Sequence, residues 1–199
     1  MSSSPLSPRV LQGAFVCLDP LTFATTRIIG FPYNPESLCR KLEPKASAPD
    51  ATNPIPAILP TAPSQIIRFT LHLDATEQLE FPNQNPVAAQ FGVYPTMSAI
   101  EMLMYPPNTD QNALTLFVWG ASRAVPVRVE ELQIVEQVFD PKLNPIRVEI
   151  AITLVVRTEA DFPTGSGARK FWDEYLANLE KLAALMPNGP IGNTGVAQL

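Results

Sequence analysis

The chain has 199 residues, 46% of them hydrophobic, with 14 Lys plus Arg against 19 Asp plus Glu and a formal net charge of -5. Charged residues are 17% of the chain, against roughly 25% in an average domain, and its 22 prolines are about twice the usual share. So much proline excludes a long coiled coil or helical bundle, since each interior proline costs a helix about 3 kcal/mol. An acidic chain without a basic cluster lacks the electrostatic footprint of a nucleic-acid binder.

No run approaches the roughly 18 to 20 apolar residues of a membrane span. The start has neither the basic nor the apolar region of a secretory signal, so no membrane insertion is expected. Cys17 and Cys39 fit no metal or redox spacing and are read as reduced thiols of a cytoplasmic protein.

In chain order, Arg9 to Leu18 is rich in Val, Leu and Phe and reads as a strand ended by Asp19-Pro20. Thr25 to Phe31 is a second strand, and Asn34-Pro35-Glu36-Ser37 turns the chain. Residues 44–63 hold six prolines among Ala, Ser, Thr and Asn, and are expected to form an extended surface loop that reaches a neighbour or moves freely. Gln65 to Asp74 alternates cleanly, with Ile67, Phe69, Leu71 and Leu73 on one side and Arg68, Thr70, His72 and Asp74 on the other. Residues 86–104 switch to helical spacing, with Thr96 or Ser98 as the cap, Ile100, Leu103 and Met104 as the stripe and Pro106-Pro107 as the stop.

Leu114 to Gly120 reads as a buried strand. Val125 to Phe139 is a long one, and its alternation breaks at Glu130-Glu131, which predicts a bulge there. After a turn at residues 140–145, Ile146 to Arg157 alternates across its whole length. At about 3.3 Å per residue this strand spans about 40 Å, twice the common length. A hairpin of that size invites partner chains. Ala168 to Met186 reads as an amphipathic helix with Phe171, Tyr175, Leu179, Leu182 and Met186 as its stripe, and the residues beyond as a loose tail.

The inventory for catalysis is thin. His72 is the one histidine; Asp74 shares its face, but backbones about 6.5 Å apart make a poor acid-base pair. No metal-binding cluster, nucleophile elbow or phosphate loop is present. Gly165-Ser166-Gly167 reads as a joint before the last helix, and Glu130-Glu131 and Asp173-Glu174 do not form dyads. No enzyme and no cofactor are expected.

Two stretches carry a resemblance. Gly30-Phe31-Pro32-Tyr33-Asn34-Pro35-Glu36-Ser37-Leu38 resembles the Phe-x-Phe-Asn-Pro-Glu-Ser segment of the contractile injection system tube-protein family, with Tyr33 at the second Phe. Leu116-Phe117-Val118-Trp119-Gly120, then Val125-Pro126-Val127-Arg128-Val129 and the turn Phe139-Asp140-Pro141-x-x-Asn144-Pro145, resemble its later strand and long hairpin. Arg147 fits the pattern after that turn, whereas Val148 stands where a smaller residue is commoner.

The resemblance implies a mainly β, α+β fold: a tail-tube-like β-barrel or sandwich with two helices and a long β-hairpin. The resemblance covers about residues 10–157; with the spacing of the last helix, the chain is read as residues 1–163 for the tube-like domain with its proline-rich loop 44–63, 164–187 for the C-terminal helix and 188–199 for a tail. Relatives often continue into a LysM domain; a helix and short tail stand here instead, which leaves room for a shorter, tube-only adaptor. The implied role is structural, a tube initiator whose homohexameric ring joins the inner tube protein to the spike hub among the baseplate components. Assembly is expected in the cytoplasm, in a particle that is released or tethered to a membrane. On the hairpin, Arg147, Glu149, Thr153 and Arg157 are candidate channel-facing residues. Val127, Val129, Ile146, Val148, Ile150 and Ile152 are candidate subunit-interface residues, of which Ile146, Val148, Ile150 and Ile152 are expected to pack inward or against the neighbour. The rival reading is a stand-alone small β-barrel that binds a peptide or small ligand.

Overall fold

The computed structural model describes residues 11–44, 62–105 and 114–186. The expectations placed on Arg9-Val10, on most of the proline-rich stretch, on Pro106-Pro107 and on the tail lie outside these residues.

The strands are β1 (Ala14–Leu18), β2 (Thr25–Gly30), β3 (Cys39–Glu43), β4 (Ser64–Asp74), β5 (Leu114–Val118), β6 (Ala124–Phe139) and β7 (Pro145–Val156). The helices are α1 (Thr76–Glu80), α2 (Pro86–Phe91), α3 (Tyr94–Glu101), which runs into a 3-10 turn at Met102–Met104, and α4 (Arg169–Ala184). All seven strands join one antiparallel sheet in the order β2-β1-β5-β6-β7-β4-β3.

The sheet is not closed into a barrel, because β2 and β3 end it and do not pair with each other. It is nevertheless strongly curled. Laid flat, β4 and β5 would sit three strand spacings apart, about 14 Å, yet the rings of Phe69 on β4 and Phe117 on β5 stack with centroids 5.3 Å apart. Phe15 and Phe31 join them, each within 6.4 Å of both rings. Burial of this aromatic knot draws the sheet round on itself.

Alternation explains the long strands. On β7 the even-numbered residues from Val148 to Val156 are buried and the odd-numbered ones are not. The break at Glu130-Glu131 is a register shift of β6 against β7 between Val129 and Glu131. This is the bulge that the change of parity requires.

Residues 86–104 are two short helices rather than one, parted at Gly92, whose φ is 59°. Thr96 and Ser98 lie inside α3, which begins with Pro95 in its first turn and has no side-chain cap. With α1, the described residues hold four α-helices where the sequence pointed to two. The stripe on α4 also needs correcting: Trp172 and Tyr175 enter the core, whereas Leu179, Leu182 and Met186 are exposed.

The helix is fastened near its middle. Arg40 Nη2 donates to the Tyr175 hydroxyl at 3.0 Å. With the Gln65 amide oxygen turned toward Arg40 and its nitrogen donating to Tyr175 at 3.1 Å, all three groups are satisfied. α4 is thereby tied to the ends of β3 and β4, and Phe171 packs edge-on against Phe23 in the β1–β2 turn. The other end of β4 leads into α1 and the helical insertion.

Candidate assembly surface

The convex face of the sheet is built from four strands in register. Across β4 and β7 the facing pairs are Asp74 with Arg147, His72 with Glu149, Thr70 with Ala151, Arg68 with Thr153 and Ile66 with Val155. On β6, Val135, Gln133, Glu131 and Arg128 stand beside Glu149, Ala151, Thr153 and Val155. On β3, Cys39 and Lys41 stand beside Arg68 and Ile66. Directly paired residues share a face, so one polar surface runs from β3 to the outer edge of β6.

Its charges are largely balanced within the surface. Arg147 Nε donates to Asp74 Oδ2 at 2.7 Å, Arg128 pairs with Glu130 at 2.7 Å, and Lys41 pairs with Glu43 at 2.6 Å. Burial pushes the Asp74 carboxyl up, but hydrogen bonds from Thr76 and the ion pair with Arg147 outweigh it and hold the group below its usual value. A lowered folded-state value stabilises fully above the ordinary carboxylate value of about 4. That stabilisation fades as pH falls through the folded value. Asp74→Asn is therefore expected to cost about 0.5–1 kcal/mol at pH 7, a modest figure for a largely exposed pair, with a smaller gap to the parent at an acidic pH below the lowered folded-state value. Urea denaturation at the two pH values measures this, and an equal gap at both would count against the ion pair.

Of the candidate channel-facing residues, Arg147, Glu149 and Thr153 lie on this face. Glu149 accepts from Gln137 Nε2 at 3.3 Å. Arg157 has the same parity but is otherwise engaged: its guanidinium lies 4.4 Å from the centroid of the Phe162 ring and donates to the Asp161 carbonyl at 3.0 Å. His72 is exposed on this surface, and Asp74 is committed to Arg147 and Thr76 rather than to it.

The six candidate interface residues sit elsewhere. Val127, Val129, Val148, Ile150 and Ile152 are buried in the core of their own chain, and Ile146 packs partly buried against it. Of the two places that alternation allows their side chains, these positions take the inward one. Lys41, Arg68, Glu131 and Gln133, none of them a channel-facing candidate from the sequence, share the polar face because strand pairing brings them there.

A second property of this surface lies in the backbone. β5 pairs with β6 only from Ala124 to Val127, while β7 pairs with it as far as Phe139. Beyond Arg128 the outer edge of β6 has no strand partner among the described residues, and the free side of β3 has none either.

The family description of the contractile injection system tube protein matches residues 21–162, well over half of the chain. The chain belongs to that family. This tube-family chain is thus a structural component of a contractile injection system, a phage tail-like particle. A search of curated proteins returns no match. Among the described residues, no helix is long and apolar enough to cross a membrane.

Proposed function

We propose that this protein is one subunit of a homohexameric ring that adapts the inner tube to the spike hub of the baseplate. The observation that carries the reading is a pair of sheet edges, on one polar section of sheet, that have no strand partner among the described residues. From β6 to β3 that section holds four antiparallel strands. A copy rotated about an axis lying roughly along the strands brings its β3 beside β6 of the first, running in the opposite direction. An even number of strands thus lets antiparallel pairing continue from subunit to subunit, and a head-to-tail contact of this kind closes into a ring.

Neighbours in this arrangement meet through backbone edges. The side chains of Val127, Val129, Ile146, Val148, Ile150 and Ile152 support the contact from behind, as core. The polar face lines the channel, with Arg147, Glu149 and Thr153 pointing into it and Arg157 bracing its end. The inner tube protein, the spike hub and other baseplate components stack above and below, and no ligand or cofactor is required.

Cross-linking tests the edges. Cys39 is exposed on β3, and Gln133 and Val135 share its face on β6. A disulfide needs Cα atoms about 4.4–6.8 Å apart, so only strands that lie side by side can form one. In a Cys17→Ser background, Gln133→Cys or Val135→Cys is expected to give, on mild oxidation, a ladder of linked subunits that ends at six. A monomer at every position tried, or dimers joined through Cys39 alone, would sink the proposal and favour the stand-alone binding module.

A further inference from the structure

The apolar stripe of α4 outruns its own core. Trp172 and Tyr175 are the buried side chains of the helix, and Tyr175 is held by Arg40 on β3 and Gln65 on β4. Beyond it Leu176, Leu179, Leu182, Leu185 and Met186 continue at helical spacing and stand exposed, the last three by 50% or more. From Tyr175 to its end at Ala184 the helix rises about 13 Å, nearly three strand spacings. β3 ends the sheet, so this half of α4 leaves the body of its own subunit at that edge.

Leu42 carries the apolar surface onto the edge strand itself. It pairs with the buried Gln65, which places its side chain on the core side of the sheet, yet it is 53% exposed. The core side of the β3 edge and the exposed half of α4 thus form one apolar surface. A contiguous patch of this kind marks a contact, where single exposed leucines would not.

A matching surface lies at the other open edge. On β6 beyond Arg128, Leu132 and Ile134 pair with the buried Ile152 and Ile150, so they too face the core side, and they are only partly buried there. The 3-10 turn Met102–Met104 packs against the same strand and leaves Met102, Met104 and Tyr105 exposed. Both surfaces therefore lie on one side of the sheet, next to the two edges that the ring reading joins. With β3 of one copy beside β6 of the next, the core sides become continuous and α4 runs on beneath that β6. The edge contact needs such support. β3 has five residues, about 17 Å of backbone, and so narrow a strip falls short of the roughly 1,000 Å² that a specific interface buries.

We propose that α4 is a clasp between ring neighbours: its exposed half, with Leu42, packs under β6 of the adjacent copy against Leu132, Ile134 and the 3-10 turn. This rests on the ring reading and adds the side chains that hold neighbours together.

Two cross-links of the full chain, made in parallel with a short bismaleimide, test it. The edge pair is Cys39 with Gln133→Cys in a Cys17→Ser background. The clasp pair is Leu182→Cys with Met104→Cys in a background of Cys17→Ser and Cys39→Ser. Both pairs should give ladders that end at six, and neither cysteine of the clasp pair should give a ladder alone. An edge ladder without a clasp ladder, or a clasp pair that closes within one chain, overturns the clasp and leaves the ring standing. Loss of both ladders overturns the ring, and the clasp with it. Sedimentation velocity of Leu179→Asp with Leu182→Asp adds the energetics. The concentration for half assembly should rise at least about tenfold, as for the loss of central apolar contacts. The unfolding midpoint of the dissociated subunit should stay where it was, because both side chains are exposed. Unchanged assembly overturns the clasp. So does a lowered midpoint with assembly unaltered, which would mean that the same chain covers the stripe.

Discussion

Phe117→Ala is expected to cost about 3–5 kcal/mol, the usual range for removing a fully buried ring, and to lower the melting temperature by about 6–20 °C at this chain length. Phe117 is fully buried and touches four other rings: Phe15, Phe31, Phe69 and Trp119. These come from β1, the residue after β2, β4 and the residue after β5, so one side chain joins stretches that lie far apart in the sheet order. Its loss leaves a cavity where the curl is tightest, and the surroundings cannot collapse into it without flattening the sheet. Phe117→Leu keeps much of the volume and should lose distinctly less. Guanidinium denaturation of the three proteins measures both effects. A loss under about 1 kcal/mol for alanine would mean that the curl is held by backbone pairing and not by the knot.

The contrast between what was and was not legible in the sequence has a physical cause. β4 and β7 each have one face in the core and one outside, so a period of two is written directly in their residues, as is the break at Glu130. β3, by contrast, is Cys-Arg-Lys-Leu-Glu with four of its five residues exposed. It is a strand only because β4 is there to pair with, and no apolar pattern announces it. α1 buries no residue at all and leaves the same silence. On α4 the apolar spacing from Phe171 correctly includes Tyr175, but Phe171 turns to Phe23 and the other side chain that reaches the core is Trp172, three residues before Tyr175.

The polar face was half legible for the same reason. Arg147, Glu149 and Thr153 follow from the alternation of β7 alone. Arg68 and Lys41 are placed beside them by contacts between residues far apart in sequence, and alternation within a strand does not say which strand lies next to it. Whether the sheet closes is a matter of the same kind: each strand reads identically in an open curl and in a barrel. The difference lies in whether β2 and β3 meet.

Gly92→Ala is expected to destabilise the chain by about 2–4 kcal/mol, from backbone strain of about 1–3 kcal/mol together with lost hydrogen bonds. Two independent facts converge on this position. Its φ of 59° and ψ of -133° belong to a region that L side chains avoid. A Cβ there would also lie 2.1 Å from the Pro145 carbonyl oxygen, which is backbone and cannot swing aside. That oxygen already accepts from the Val93 N–H at 2.9 Å, and Asn144 Nδ2 donates to the Gln90 carbonyl at 3.0 Å beside it. The substitution therefore strains the junction between α2 and α3 and pushes both helices off the hairpin turn. Gly30→Ala provides the comparison, since nothing lies within 4 Å of its Cβ position and its change should stay within about 0.5 kcal/mol. Hydrogen exchange adds a local reading: the Val93 amide should lose protection in Gly92→Ala, while amides at the far end of β7 keep theirs until global unfolding takes over. Equal stability of the two alanine variants would show that the insertion can shift away from the hairpin at no cost.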